Sequence, residues 1–429
     1  GVGYICGPKI ASYMFAGGII AWLVLIPAVV FFGGSVDFAT LGNTGLAGQT
    51  IAEVYEANGA SAIWSNVIKY VGAGAIATGG VISLLKSLPL IIKTFAGAMK
   101  SLKNTSGGTN VRTDRDLKMP VVLGIILIVI ILIWLVPSVP VSLLGAFLIA
   151  IFGFFFATVS SRMVGLIGSS NNPVSGMAIA TLLISTFVLK ATGNTGMAGM
   201  TGAIAIGSII CVIAAIAGDT SQDLKTGFIV GATPAKQQVG ELIGVVASGF
   251  AIAGVMSLLN KAWGFGSAEI PAPQATLMKM IVEGIMDAKL PWVLVFMGVF
   301  LALALEVLRV PVMPFAIGLY LPIYLSCGIM VGGVVRLFLD KKKEAEAKKK
   351  EMISNGTLYC AGMIAGEGLV GILMAVLAII KVGDNSIGAI IGGLFNLSGA
   401  AGNIVGLIVL ALMILSLLKF SVWSKTKSK

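Results

Sequence analysis

Residues 119–161 form a stretch of 43 residues without one Asp, Glu, Lys or Arg. A membrane-spanning helix needs about 20 mostly apolar residues, so this stretch has room for two crossings, with a turn at Pro137-Ser138-Val139-Pro140. Other charge-free runs cover 10–36, 163–189, 191–218, 242–260, 290–305, 310–335 and 385–418. Two further runs carry a single charge each, 62–85 around Lys69 and 353–380 around Glu367. Within lipid only helices and closed barrels satisfy every backbone group. A barrel alternates apolar and polar residues in short segments, whereas these runs are long and unbroken. The chain is therefore expected to be an all-α polytopic membrane protein, a bundle of about 11–13 membrane segments including broken or re-entrant helices. Its 11% charged residues against 57% hydrophobic ones fit no soluble enzyme, disordered chain or fibrous protein.

Lys and Arg in short loops mark the cytoplasmic side. Seven basic residues fall in 86–118, six lysines in Asp340 to Glu351, and Lys419, Lys425, Lys427 and Lys429 at the end. The segments 86–118 (a basic loop), 339–352 (a charged loop) and 419–429 (a tail) are accordingly expected in the cytoplasm, with 1–429 forming one transmembrane domain. The 33–61 loop has Asp37, Glu53 and Glu56 and no basic residue, which places it outside. Parity then requires 310–338 to bend at Tyr320-Leu321-Pro322 as a hairpin or re-entrant segment. The segment 86–103 reads as an interfacial helix or as an extension of the preceding crossing, and 274–288 as a short amphipathic helix on the external surface. The net charge of +11 is thus used up in membrane orientation, and nucleic acid is not an expected partner.

Absences narrow the chemistry. The chain has no histidine, which removes His-ligated metals and His proton relays. Cys6, Cys211, Cys327 and Cys360 are scattered without zinc spacing and read as small buried hydrophobes. No metal site or cofactor is expected. Two alternatives to carrier-type transport fare poorly. A passive channel wants a filter motif or a ring of like residues, and an intramembrane enzyme wants a nucleophile–base pair.

Residues 42–50 (GNTGLAGQT) and 193–201 (GNTGMAGMT) agree at seven of nine positions, which suggests an internal repeat with helix breaks of the kind many transporters contain. The densest polar block is 218–241. There Asp219 and Asp223 share a face if helical and lie near enough to Lys225 for mutual pairing. Gln222, Thr226 and Gln237 add polar groups. Thr233 is placed to cap a helix opened by Pro234. The block is either a plain cytoplasmic loop with a capped helix or a gate at the cytoplasmic mouth. Asn171-Asn172-Pro173-Val174-Ser175-Gly176 is either an interhelical turn or a broken helix aiming amides at a substrate. Glu367 is a lone carboxylate in mid-span; burial there raises a carboxylate pKa, as a proton carrier requires. Glu367, Asp219 and Asp223 are the proton-coupling candidates.

These residues resemble one family. Gly1-Val2-Gly3-Tyr4-Ile5 with Gly17-Gly18 and Trp22, Tyr70-Val71-Gly72-Ala73-Gly74, Asn172-Pro173-Val174-Ser175-Gly176-Met177, the run from Gly218-Asp219 to Pro234 and Gln237, Pro314 with Gly318-Leu319-Tyr320-Leu321-Pro322, and Ala365-Gly366-Glu367 occur in order along the chain. They are similar to motifs of the oligopeptide transporter family, in the branch shared by prokaryotic members and plant yellow stripe-like transporters. Against that family the chain corresponds to the C-terminal two-thirds of a longer transporter, with additional spans expected upstream of Gly1. The resemblance implies a plasma-membrane symporter, not an enzyme, that moves small oligopeptides or metal-chelate complexes inward with protons. It adds Tyr320 to the substrate-pathway candidates Asn171, Asn172, Ser175, Asp219, Gln222, Asp223, Lys225, Thr226, Thr233 and Gln237. The bilayer, the substrate and protons are the partners it implies, and assembly as a homo-oligomer stays open.

Overall fold

The structure, a computed structural model, describes residues 1–42, 46–103, 111–137, 139–167, 174–267, 270, 272–287, 291–382, 385–394 and 400–422. Helices dominate: α1 (Val2–Ile19), α2 (Ile26–Gly33), α3 (Ile51–Ile63), α4 (Lys69–Lys103), α5 (Met119–Leu135), α6 (Leu143–Ile167), α7 (Val174–Ala191), α8 (Gly196–Val230), α9 (Pro234–Ala262), α10 (Pro273–Asp287), α11 (Trp292–Val307), α12 (Val312–Tyr320), α13 (Ile323–Lys341), α14 (Glu346–Ile379), α15 (Ile387–Leu394) and α16 (Ala400–Val422). Among the described residues, eight helices are long and apolar enough to cross a membrane, and two more apolar helices are shorter. The expected all-α membrane architecture is what the chain adopts. Two compact units divide it: 1–76, 252–273 and 292–429 form one, and 77–251 with 274–291 the other.

The first unit is built from interrupted helices. Within α1, Gly7 sits at φ 83°, ψ 168°, a conformation open to glycine and strained for other residues, and Pro8 starts the next helical piece. A π-helical turn, Ile20–Leu25, separates α1 from α2, and a second, Trp64–Ile68, separates α3 from α4. Such π-turns are rare and favour functional sites. The α3 helix opens on a capping box: Thr50 Oγ1 accepts from Glu53 N–H at 3.3 Å, and the Thr50 N–H donates to Glu53 Oε2 at 2.7 Å. These Thr50 bonds hold the Glu53 carboxyl below its ordinary pKa. The expected break after Tyr320 is present, with α12 ending there and Pro322 opening α13. At nine residues α12 is roughly 13 Å long, less than a crossing. Both α12 and α13 lean on α1. Glycines make this close: a Cβ on Gly3 would lie 1.8 Å from Ile329 O, and one on Gly333 would lie 2.6 Å from the Ala11 Cβ. Tyr4 is fully buried with Val335, Leu339, Met352, Cys360 and Leu417.

The second unit packs α6, α7, α8 and α10 around Phe156, Val159, Met177, Leu182, Ile206, Ile210 and Val282. Lipid gives no hydrophobic drive for helices to associate, so small residues and hydroxyls take over. Gly207 seats against Leu182, Thr181 and Thr186 return their hydroxyls to their own helix, and the Ser160 hydroxyl donates to Ala214 O. The α10 helix does lie at the expected 274–288. However, Leu277, Met280, Val282 and Met286 are buried, so it is a packed element and does not float on the surface.

Several boundaries differ from the sequence reading. Residues 86–103 continue α4 as one helix, with Pro89 inside it, which is the second of the two readings given for them and removes them from the expected 86–118 loop. Residues 339–352 reduce to a linker at 342–345, because α13 runs to Lys341 and α14 starts at Glu346. Lys348 and Lys342 clamp Glu344 there, and the Lys348 hydrogen bond holds its carboxyl below the usual range. The 33–61 loop contains most of α3. Gly42 and Gly193 begin the two similar motifs with φ of 82° and 81°. Beyond them the copies diverge, since Gly196 starts α8 directly while helix α3 waits until Ile51. Cys6 and Cys327 are exposed, contrary to their reading as buried hydrophobes, and Cys360 is buried. Most of the 419–429 tail lies outside the described residues.

Candidate functional site

The polar block 218–241 is helical through Val230. A backbone in lipid or at its border is satisfied by its own helix whatever its side chains carry, so polar composition did not end α8. It ends at Gly231, in the left-handed region at φ 73°, and Pro234 opens α9 as expected. Asp219, Gln222, Asp223, Lys225 and Thr226 are exposed on α8. The expected pairing is absent: among the described residues no ion pair joins Asp219, Asp223 and Lys225. The Lys225 ammonium instead sits 5.4 Å from the Phe228 ring centroid.

What stabilises this turn is a segment the sequence reading treated only as positive charge. Arg112 donates to Thr233 Oγ1 at 2.9 Å and to Gly231 O at 2.8 Å, covering the carbonyl of the residue that caps the C-terminus of α8. The Leu117 N–H donates to Gln238 Oε1 at 3.0 Å, and Gln238 Nε2 to Asp116 Oδ1 at 3.2 Å. Thr233 therefore serves as an acceptor for Arg112. Gln237 Nε2 donates to Asp223 O at 3.1 Å, in a seat that exists because a Cβ on Gly227 would meet Gln237 Oε1 at 1.9 Å. Beside this turn, Asp116, Thr220, Gln238 and Glu241 line a cavity of about 430 Å³, whose remaining lining is Leu117 and apolar side chains of α5, α8 and α9.

A second candidate lies in the first unit, where both π-turns and the α12–α13 break meet. Trp22 stacks on Trp64, ring centroids 6.1 Å apart at 26°. Lys69, the first residue of α4, places its ammonium 5.9 Å from the Trp64 centroid and 5.7 Å from that of Tyr320. Tyr320 is 2% exposed; its backbone approaches Gly72 so closely that a Cβ there would sit 3.0 Å away. The indole Nε1 atoms of Trp22 and Trp64 and the Ser326 hydroxyl are buried without hydrogen-bond partners. Tyr320 was expected here. Trp64 and Lys69 were missed, and Trp22 was noted only as part of the family resemblance, although a lone lysine five residues after a tryptophan within an apolar run was a legible signal.

A smaller cavity of about 210 Å³ lies against the second GNTG motif, lined by Gly193, Asn194, Thr195, Gly199 and Gly202 with Pro140 and Leu189. Glu367 is on α14 but exposed, and a Cβ on Gly362, Gly366, Gly368 or Gly371 would meet nothing within 4 Å. The expected burial of Glu367 is therefore not supplied by the described residues. Asn171 and Asn172 lie outside the described residues. Ser175 falls in the first turn of α7, its side chain likewise undescribed.

Long apolar helices interrupted by π-turns, a kinked glycine and a proline break define a multi-pass α-helical membrane protein. The sequence profile of the OPT oligopeptide transporter protein family matches residues 1–378, and the chain belongs to that family. It is 31% identical over 425 aligned positions to a Haemophilus influenzae protein named as an oligopeptide transporter, covering 87% of this chain and 64% of that one. A protein of Arabidopsis thaliana named as a metal-nicotianamine transporter is 27% identical, over 46% of this chain and 30% of its own length. One from Oryza sativa subsp. japonica with the same designation is 21% identical, over 89% and 55%. The chain thus spans less than two thirds of the length of these relatives. No solved structure matches it.

Proposed function

We propose that the protein is a proton-coupled secondary transporter that carries small oligopeptides or metal-chelate complexes inward across the plasma membrane, its C-terminus cytoplasmic. The observation that carries this reading is the family match across residues 1–378, joined to the helix breaks of the first unit, since discontinuous helices are where transporters bind substrates and ions. Both substrate classes come from the names of the relatives. Tyr320, at the α12–α13 break, and the turn that holds Thr233 and Gln237 are the pathway and gating candidates. Asn171, Asn172, Ser175, Gln222, Lys225 and Thr226 complete that set.

Protons need a carrier, and with no histidine in the chain carboxylates fill that role. Glu367 leads because it stands alone within a long apolar helix, with Asp219 and Asp223 next. In proteoliposomes, labelled di- to tetrapeptides or iron chelates should accumulate under an inward proton gradient and leak back when a protonophore is added. Glu367→Gln should fold and bind substrate yet fail to concentrate it. Accumulation indifferent to the gradient would remove proton coupling; no movement of either substrate class would remove the transport reading.

A further inference from the structure

Lys69 poses a chemical problem that the fold leaves open. An ammonium at membrane depth is expensive and is normally matched by a carboxylate or by backbone carbonyls. Lys69 has neither among the described residues: it makes no ion pair or hydrogen bond. Two aromatic rings, those of Trp64 and Tyr320, flank it. Cation–π contacts of this kind stabilise the positive charge, but they leave the three N–H donors unused.

The same junction holds other unused donors. Trp22 and Trp64 each bury an indole N–H without an acceptor, a costly state for a strong donor. The α13 helix begins two residues after Leu321, with Pro322 in the capping position and no side chain capping it, so its first N–H groups present the positive end of a helix next to Tyr320. An ammonium, two indole N–H groups and a bare helix start share one chemical demand, an anion with several acceptor atoms. Lys69 is only partly buried, which leaves it reachable.

We infer that the Lys69–Trp22–Trp64 cluster, beside the α12–α13 break, binds a carboxylate of the transported molecule. The inference rests on the transport reading for where that carboxylate comes from. Peptides carry one at the C-terminus, and aminocarboxylate chelates carry several, so one site serves both substrate classes. The two π-turns fit this role: a π-turn shifts the residues after it around the helix axis, and here one such turn holds Trp22 and the other carries Trp64 and leads into Lys69.

The test measures binding, so that it does not depend on transport. The purified protein in phosphatidylcholine nanodiscs is titrated calorimetrically with trialanine, trialanine C-terminal amide and ferrous nicotianamine. A charge-assisted contact predicts that the free acid binds on the order of 10- to 100-fold more tightly than the amide. Lys69→Gln should bring that ratio close to one and weaken ferrous nicotianamine to a similar degree. Lys69→Arg should keep most of the preference, and Trp22→Phe and Trp64→Phe should each reduce it several-fold. A merely structural lysine would lower the amount of folded protein but leave the acid-to-amide ratio unchanged. Equal binding of acid and amide by the wild type, a ratio kept by Lys69→Gln, or binding of none of the three probes overturns the inference. So does loss of the ratio on adding phosphatidylglycerol, which would assign the cluster to a lipid headgroup. If the ratio behaves as expected while proteoliposomes concentrate none of the probes, the carboxylate site stands and the transport reading falls.

Discussion

Replacing Gly318 by alanine tests whether backbone contact between α1 and α12 holds the first unit together. The two helices touch through glycine on both sides: a Cβ on Gly318 would lie 1.9 Å from Met14 O, and one on Gly17 would lie 2.2 Å from Phe315 O. Ordinary contact starts at 3.4 Å, so the new methyl forces a retreat of about 1.5 Å that backbone atoms cannot absorb by changing rotamer. Met14, Phe315, Ala316, Leu319 and Tyr320 are all buried there. A gap of even 0.5–1 Å forfeits a quarter to a half of each contact's dispersion energy. Overpacking of this sort costs about 1–3 kcal/mol or more. The better helix propensity of alanine returns up to about 1 kcal/mol, which leaves a net loss near 2 kcal/mol. Gly124 on α5 is the control, since a Cβ there meets nothing within 4 Å and only the propensity gain remains. The pair should therefore differ by about 3 kcal/mol, or roughly 6 °C in apparent Tm at about 2 °C per kcal/mol for a unit of this size. Thermal unfolding in detergent, followed by tryptophan fluorescence, measures it. A Gly318→Ala protein as stable as Gly124→Ala would show that α1 and α12 do not pack through these glycines, and with that the placement of Tyr320 over Lys69 would fail.

Arg112→Ala removes both hydrogen bonds to the α8–α9 turn; at an exposed site that is worth about 1 kcal/mol, so limited proteolysis at 111–118 should run about fivefold faster, and an unchanged rate would deny Arg112 that role. Ala347→Cys, in a background with Cys6 and Cys327 replaced by serine, should be protected from impermeant thiol reagents in right-side-out vesicles, and labelling from outside would place the lysine run on the wrong side. Glu53 has a depressed pKa because Thr50 hydrogen-bonds its carboxylate. Its contribution is therefore present above the unfolded carboxylate value, near 4.3, and disappears as pH falls through the lower folded value. Glu53→Gln should lower the unfolding temperature at pH 7 and match the wild type near pH 3, and a difference that persisted in acid would contradict the capping account.

The crossings were legible because in lipid the apolar run is itself the helix, and α5, α8, α9 and α16 fall where charge-free stretches put them. Polarity misled at the ends of those runs. Residues 218–230 looked like a loop, yet a helix keeps its own backbone bonds wherever it leaves the bilayer, and α8 continued through them, as α4 continued through 86–103. The contacts that give the first unit its shape were not legible, since Gly3 meets Ile329 and Gly318 meets Met14 across some 300 residues, and a single glycine carries no record of its partner. The π-turns were equally hidden, because an extra residue per turn needs no special side chain. The candidate site shows the same division. Tyr320 announced itself through Leu321-Pro322, a local breaker. Lys69 and Glu367 looked alike in sequence, each a single charge in an apolar run, and only the carboxylate was taken as functional. Three dimensions separate them. Lys69 is flanked by aromatic rings among donors that lack acceptors, which defines what it must bind. Glu367 stands on an exposed glycine-rich face of α14, where the described residues supply no partner. A lone charge in a span is therefore half a statement. The other half is the set of groups packed around it, and for Lys69 that set asks for an anion.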